Sequence, residues 1–108
     1  MSAHLIEGKY YIASVDESQI MGLSMYLEYI LCIFREEEGL CVVFQDDIQE
    51  EIDAMSEHPL EGPCAVIAHD KEVEIKGRHY SGYKHDYSLV EFEKKDEALK
   101  KMMRTVQS

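Results

Sequence analysis

A central apolar hairpin, a strand pattern ahead of it and a helix-then-strand pattern behind it predict an α+β fold. The order of these segments is that of a ferredoxin-like β-α-β-β-α-β antiparallel sheet, followed by an extra C-terminal strand and helix. A chain of 108 residues, 45% of them hydrophobic, is long enough for one such core, so a single domain spanning 1–108 is expected.

The hairpin lies in residues 29–45, YILCIFREEEGLCVVFQ. Its arms carry Ile30, Ile33, Phe34, Val42, Val43 and Phe44, which suit a pleated, buried surface, and Glu36, Glu37, Glu38 and Gly39 supply a solvated turn. With Arg35 and Leu40 closing the turn, Ile30, Cys32, Phe34, Cys41 and Val43 share one face, and Leu31, Ile33, Leu40, Val42 and Phe44 the other. Both faces are apolar, so the hairpin is expected to be covered on both sides. A chain this short is poor in helices to cover both. Homodimerisation through the uncovered face is therefore expected.

Ahead of the hairpin, residues 1–8 read as a loose end or short edge punctuated by Gly8, and KYYIASV, residues 9–15, as the first strand, with Tyr11, Ala13 and Val15 on one side. DESQIMGLSMYLEYI then predicts a helix capped by Asp16 or Ser18, with Ile20, Leu23 and Leu27 inward; Gly22 and two serines leave an extended loop open. Behind the hairpin, Asp46 or Asp47 caps a short helix, with Asp47 and Glu50 at capping-box spacing and Ile48, Ile52 and Met55 on one face. His58-Pro59 ends it. Residues 60–63 connect to a strand over 64–75, continuous at first and alternating after Asp70. GRHYSGYKHD, residues 77–86, has no burial period and reads as the main loop; residues 87–92 form the last strand. Ala98, Leu99, Met102, Met103 and Val106 make the stripe of a terminal helix.

The formal charge of −11, from 22 acidic against 11 basic residues, argues against direct nucleic-acid binding and against anionic membranes. No apolar run is long enough to span a bilayer and the N-terminus lacks signal-peptide character, so a soluble, cytoplasmic protein is expected. Cys32, Cys41 and Cys64 stand at unpatterned positions within apolar strands and read as buried thiols.

The candidate ligand-binding site is the loop holding Arg78, His79, Tyr80, Tyr83, Lys84, His85, Asp86 and Tyr87. Three tyrosines and two histidines on one connecting segment suit an anionic or aromatic small molecule, or acid-base work. His79 and His85 lack metal-ligand spacing, and Glu36, Glu37 and Glu38 lack a calcium-loop pattern, so no metal and no cofactor is expected. A nucleophilic cysteine requires a thiol made acidic by its surroundings, and strands do the opposite.

Lys9-Tyr10-Tyr11 opening the first strand, Ile33-Phe34-Arg35 before an acidic turn, Leu40-Cys41-Val42-Val43 returning and Gly62-Pro63-Cys64-Ala65-Val66 entering the next strand resemble the ACT domain, a regulatory module. The resemblance covers roughly residues 9–75 and implies amino-acid binding at a dimer interface near Asp16 and Gly22, which stand further apart here than in that family. The C-terminal DYSLVEFEKKDEALKKMM is similar to segments of dimeric α/β-barrel proteins, some of them small enzymes. The first reading is thus a non-catalytic regulatory module that dimerises and binds a small molecule or a protein partner. The alternatives are a small dimeric enzyme using His79, Tyr83 and His85, and an acidic inhibitor of the immunity or nucleic-acid-mimic kind.

Overall fold

The computed structural model describes residues 3–70 and 78–107, with side chains to 103. Among them are strands β1 (Ala3–Val15), β2 (Ile30–Glu36), β3 (Gly39–Gln45), β4 (Glu61–His69), β5 (His79–Ser81) and β6 (Asp86–Glu91). The helices are α1 (Ile20–Leu23), α2 (Gln49–Met55) and α3 (Lys95–Gln107). In hydrogen-bonded order the strands run β2-β3-β1-β4-β6-β5. Two compact units divide the chain, Lys9–Pro63 and the remainder.

In the Lys9–Pro63 unit the hairpin forms as an antiparallel pair, closing at Glu36 and Gly39, one pair beyond Arg35 and Leu40. The expected facing holds with one exception: between Ile30 and Cys32 a bulge takes up Leu31, so Ile30 pairs with Phe44 and shares its face. Leu40, Val42 and Phe44 then pack with Ala13 and Val15 of β1 and with Leu23, Ile48 and Ile52. The Tyr11 and Phe44 rings stack at 6.2 Å. Burying a side chain such as Phe44 is worth about 1.5–3 kcal/mol, which is why this face fixes the register. Val43, on the opposite face, is as fully buried as Val42. At β3, then, both faces are covered by the single chain, and the open face from which a homodimer was expected is not found there.

In the other unit, β4 pairs with β6 and β5 with β6, both antiparallel. Ile67 and Met102 form its core cluster, with Val90, Ala98, Leu99, Ala3 and Leu5 packed against it. The stripe expected of the terminal helix is present in α3. Asp96 and Glu97 occupy its first turn, and Lys101 meets Glu97 at 3.5 Å, one turn apart.

The ferredoxin-like frame of four strands, two crossover helices and one added strand is overturned. Six strands are present, because residues 3–8 extend β1 and His79–Ser81 pairs with β6 where a loop was expected. The first crossover is not a sustained helix: two 3₁₀ turns, Glu17–Gln19 and Ser24–Tyr29, flank a four-residue α1. Its serines supply the reason. Ser24 Oγ donates to the Met21 carbonyl at 2.6 Å, and Ser18 N–H donates to the Asp16 carboxylate at 2.9 Å, so side chains take up groups that a longer helix would use. Asp16 is the expected cap. Asp46 and Asp47 instead lie inside a 3₁₀ turn, Asp46–Ile48, and no side-chain cap precedes α2. The helix ends at Met55, three residues before His58, where Ser56 turns extended and bridges to Val15. The alternating half of the expected 64–75 strand lies outside the described residues.

Two glycines are required by close approach. Gly39 has φ of +143°, and a methyl group there would stand 2.7 Å from the Val15 carbonyl oxygen; at Gly62, φ +136°, it would stand 2.8 Å from the Tyr11 ring. Both contacts are against backbone or a packed ring. Gly39→Ala is therefore expected to lower the free energy of unfolding by about 2 kcal/mol or more, read as a shift of the urea midpoint.

Candidate functional site

The candidate residues 78–87 form a β-hairpin around the turn at 82–85, where Gly82 N–H donates to the His85 carbonyl at 2.8 Å. Tyr80 pairs with Tyr87, His79 with Ser88 and Ser81 with Asp86. Facing residues share a side and neighbours alternate, so Tyr80 and Tyr87 lie on one face while His79 and Asp86 lie on the other. Arg78 and His79 are exposed, His85 is half-buried and Tyr83, at the turn, is almost wholly exposed. The structure thus brings the two tyrosines together and separates them from His79. Among the described residues no three His, Cys, Asp or Glu side chains gather in an arrangement that could hold a metal ion.

The face that carries His79 also carries a buried polar pair that the sequence reading missed. His69, at the end of β4, and Ser88, in β6, are 1% and 2% exposed. His69 Nε2 lies 3.1 Å from Ser88 Oγ and Nδ1 lies 3.0 Å from the Asp70 carbonyl. A carbonyl only accepts, so in the neutral ring Nδ1 carries the proton and Nε2 accepts from the serine hydroxyl. The bond has the geometry of a serine and its base. Its burial keeps Ser88 from any substrate, and its role is to satisfy two polar side chains within the sheet. The signal in the sequence was a histidine at the end of an apolar run, CAVIAH, a place that demands a partner.

Cys32 pairs with Val43 and Cys41 with Phe34, which sets the two thiols diagonally on one face of the hairpin. Burial, and secondarily the neighbouring Cys41, pushes the Cys32 thiol up to about 12. It is a poor nucleophile at neutral pH. The Asp16 carboxyl moves the other way, held below its ordinary value by the Ser18 hydroxyl and then by the Ser18 N–H.

A different feature concentrates on the first crossover. Of the five large hydrophobic side chains that are exposed among the described residues, four stand within residues 20–27: Ile20 (46%), Met21 (77%), Met25 (78%) and Leu27 (58%). Only Leu23 of this stretch turns fully inward. Ile20 and Leu27, expected in the core, are outside it because 3₁₀ turns replace the helix whose spacing would have aligned them with Leu23. At one end of the same unit, Arg35 Nη1 meets Glu17 Oε1 at 3.3 Å and the Glu57 carboxylate lies near Gly39. Asp16, Glu17 and the Glu36, Glu37 and Glu38 turn are thereby drawn to that end.

No helix among the described residues is long and apolar enough to cross a membrane. No protein-family model matches the chain, and no curated protein is similar to it in sequence. Among solved structures, a Vibrio cholerae protein of unknown function, described as a possible transport protein, shares the fold. The TM-score is 0.73 at 23% identity, covering 96% of this chain and 88% of that one. The likeness is one of fold.

Two outcomes follow from this geometry. Ser88→Ala, which strips His69 Nε2 of its partner, should cost about 1–3 kcal/mol in denaturant unfolding, whereas exposed Ser81→Ala should stay within about 0.5 kcal/mol. Because the folded Cys32 thiol titrates above its ordinary 9.0, its contribution to stability is complete below pH 9 and fades as pH climbs toward 12. Unfolding measured from pH 9 upward should therefore show a shallower alkaline decline in Cys32→Ala than in the wild type. Tyr10, whose phenol is also raised by burial against an opposing hydrogen bond from Gln45, keeps the remainder of that decline.

Proposed function

We propose that this chain is a non-catalytic binding module whose partner is another protein and whose contact surface is residues 20–27. The observation that carries the proposal is the gathering of Ile20, Met21, Met25 and Leu27 in the open on eight consecutive residues. Scattered surface hydrophobics are ordinary, but a contiguous apolar patch loses free energy to water unless something covers it. Methionine suits such a surface, since its unbranched, polarisable side chain adapts to the shape it meets. The hairpin at 78–87 supports a small-molecule site less well, because its tyrosines and His79 are divided between two faces. The regulatory role implied by the ACT resemblance enters the proposal only as binding without chemistry.

The test is oxidation footprinting of the methionines in the purified chain and in the chain recovered in complex from extracts of its source. Met21 and Met25 should oxidise readily in the free chain and be protected in the complex, while buried Met102 reacts slowly in both. Equal reactivity of Met21 and Met25 in both states would remove the proposal. So would protection in the purified chain alone accompanied by a dimer in light scattering, since the occupant would then be a second copy.

A further inference from the structure

The net charge of the protein resides in one of its two units. Lys9–Pro63 holds thirteen acidic residues and two basic ones, Lys9 and Arg35, and the rest of the chain holds nine of each sign. The unit that exposes residues 20–27 therefore bears the full −11, and one of its two cations, Arg35, is already engaged with Glu17. Asp16 and Glu17 immediately precede the exposed apolar stretch, Glu28 immediately follows it, and the salt bridge ties the glutamates of the β2–β3 turn to the same end.

From this juxtaposition we infer that the partner of residues 20–27 is a protein segment that is cationic and amphipathic. Its apolar strip lies on Ile20, Met21, Met25 and Leu27, and its lysines or arginines meet Asp16, Glu17, Glu28 and the turn glutamates. The inference rests on the reading of this stretch as a docking surface and adds the chemistry of the occupant. Three physical points select it. A second copy would bring an identical acidic rim against the first, and like charges set face to face cost several kcal/mol in a docked interface. A nucleic acid or an anionic membrane carries the same sign as the unit and is repelled. A purely apolar partner would leave the flanking carboxylates partly desolvated with nothing to pair them. A basic amphipathic segment satisfies both the apolar centre and the charged rim, the arrangement of helix-in-groove recognition.

The test titrates the full chain with three fluorescent synthetic helices: one of leucine and lysine, one with glutamate in place of every lysine, and one in which glutamine replaces leucine. Only the leucine–lysine helix should bind well, and its affinity should fall as salt is raised. Met21→Ser combined with Met25→Ser should weaken it about tenfold or more. Glu36→Gln, Glu37→Gln and Glu38→Gln together should weaken it and flatten the salt dependence. All five positions are exposed, and matching circular dichroism and thermal midpoints certify the fold of each variant. Binding of the glutamate helix as tight as that of the lysine helix would overturn the inference, and so would an unchanged affinity in the methionine variant, since charge alone would then account for binding. If the footprint shows Met21 and Met25 covered by the natural partner while the leucine–lysine helix fails to bind, the docking surface stands and this assignment of its partner falls. An unprotected footprint removes both.

Discussion

Val42 and Val43 set the terms for the Lys9–Pro63 unit. Adjacent residues in a strand point to opposite faces, and both valines are fully withdrawn from water, so β3 needs cover on two sides as well as neighbours on two edges. The edges are met by β2 and β1. On the Val42 side, cover comes from Leu23, Ile48 and Ile52. The first crossover supplies a single fully buried side chain to that task, and once Leu23 is seated, the 3₁₀ geometry on either side leaves Ile20, Met21, Met25 and Leu27 outside. The exposed patch is thus a consequence of how the core is closed.

Much of this was legible where apolar periodicity was strong. The hairpin, the Tyr11, Ala13 and Val15 face of β1, the Ile48 and Ile52 side of α2 and the Ala98, Leu99 and Met102 stripe of α3 all follow from facing rules alone. What escaped was structure held by backbone or by single polar bonds. Residues 3–8 alternate in burial at Ala3, His4 and Leu5, yet Gly8 reads as a break; in the structure it sits inside β1 at φ +111°. His79–Ser81 has no large aliphatic residue to announce a strand and is recruited by pairing with β6. The bulge at Leu31 moves Ile30 across the sheet, which no two-residue period foretells. His69 and Ser88 are 19 positions apart, and only the β4–β6 register reveals that they meet.

The candidate sites divide along the same line. The 78–87 stretch was conspicuous by composition, and composition does not say which side of a strand each residue takes; Tyr80 and Tyr87 meet, and His79 turns away from them. Residues 20–27 were inconspicuous because a helical reading assigned Ile20 and Leu27 to the core. Competition from Ser18 and Ser24 for backbone and carboxylate groups shortens the helix and reverses that assignment. Total charge is visible in the sequence from the start. Its confinement to one unit becomes visible only with the boundary at Gly8 and Pro63.

That confinement changes what an exposed apolar patch means. On a neutral surface, Met21, Met25 and Leu27 would invite any hydrophobic neighbour, beginning with a second copy of the chain at high local concentration. Set within a unit of net −11, the same side chains are shielded from their own kind by mutual repulsion that acts over about 8 Å at physiological ionic strength. A cationic partner experiences the reverse: it is drawn in by the field, and contact then releases the apolar side chains from water. Repulsion of wrong partners and attraction of the right one come from the same carboxylates, so specificity requires no additional device. Raising the salt concentration would weaken both effects together, exposing the patch to self-association as it loosened the intended contact.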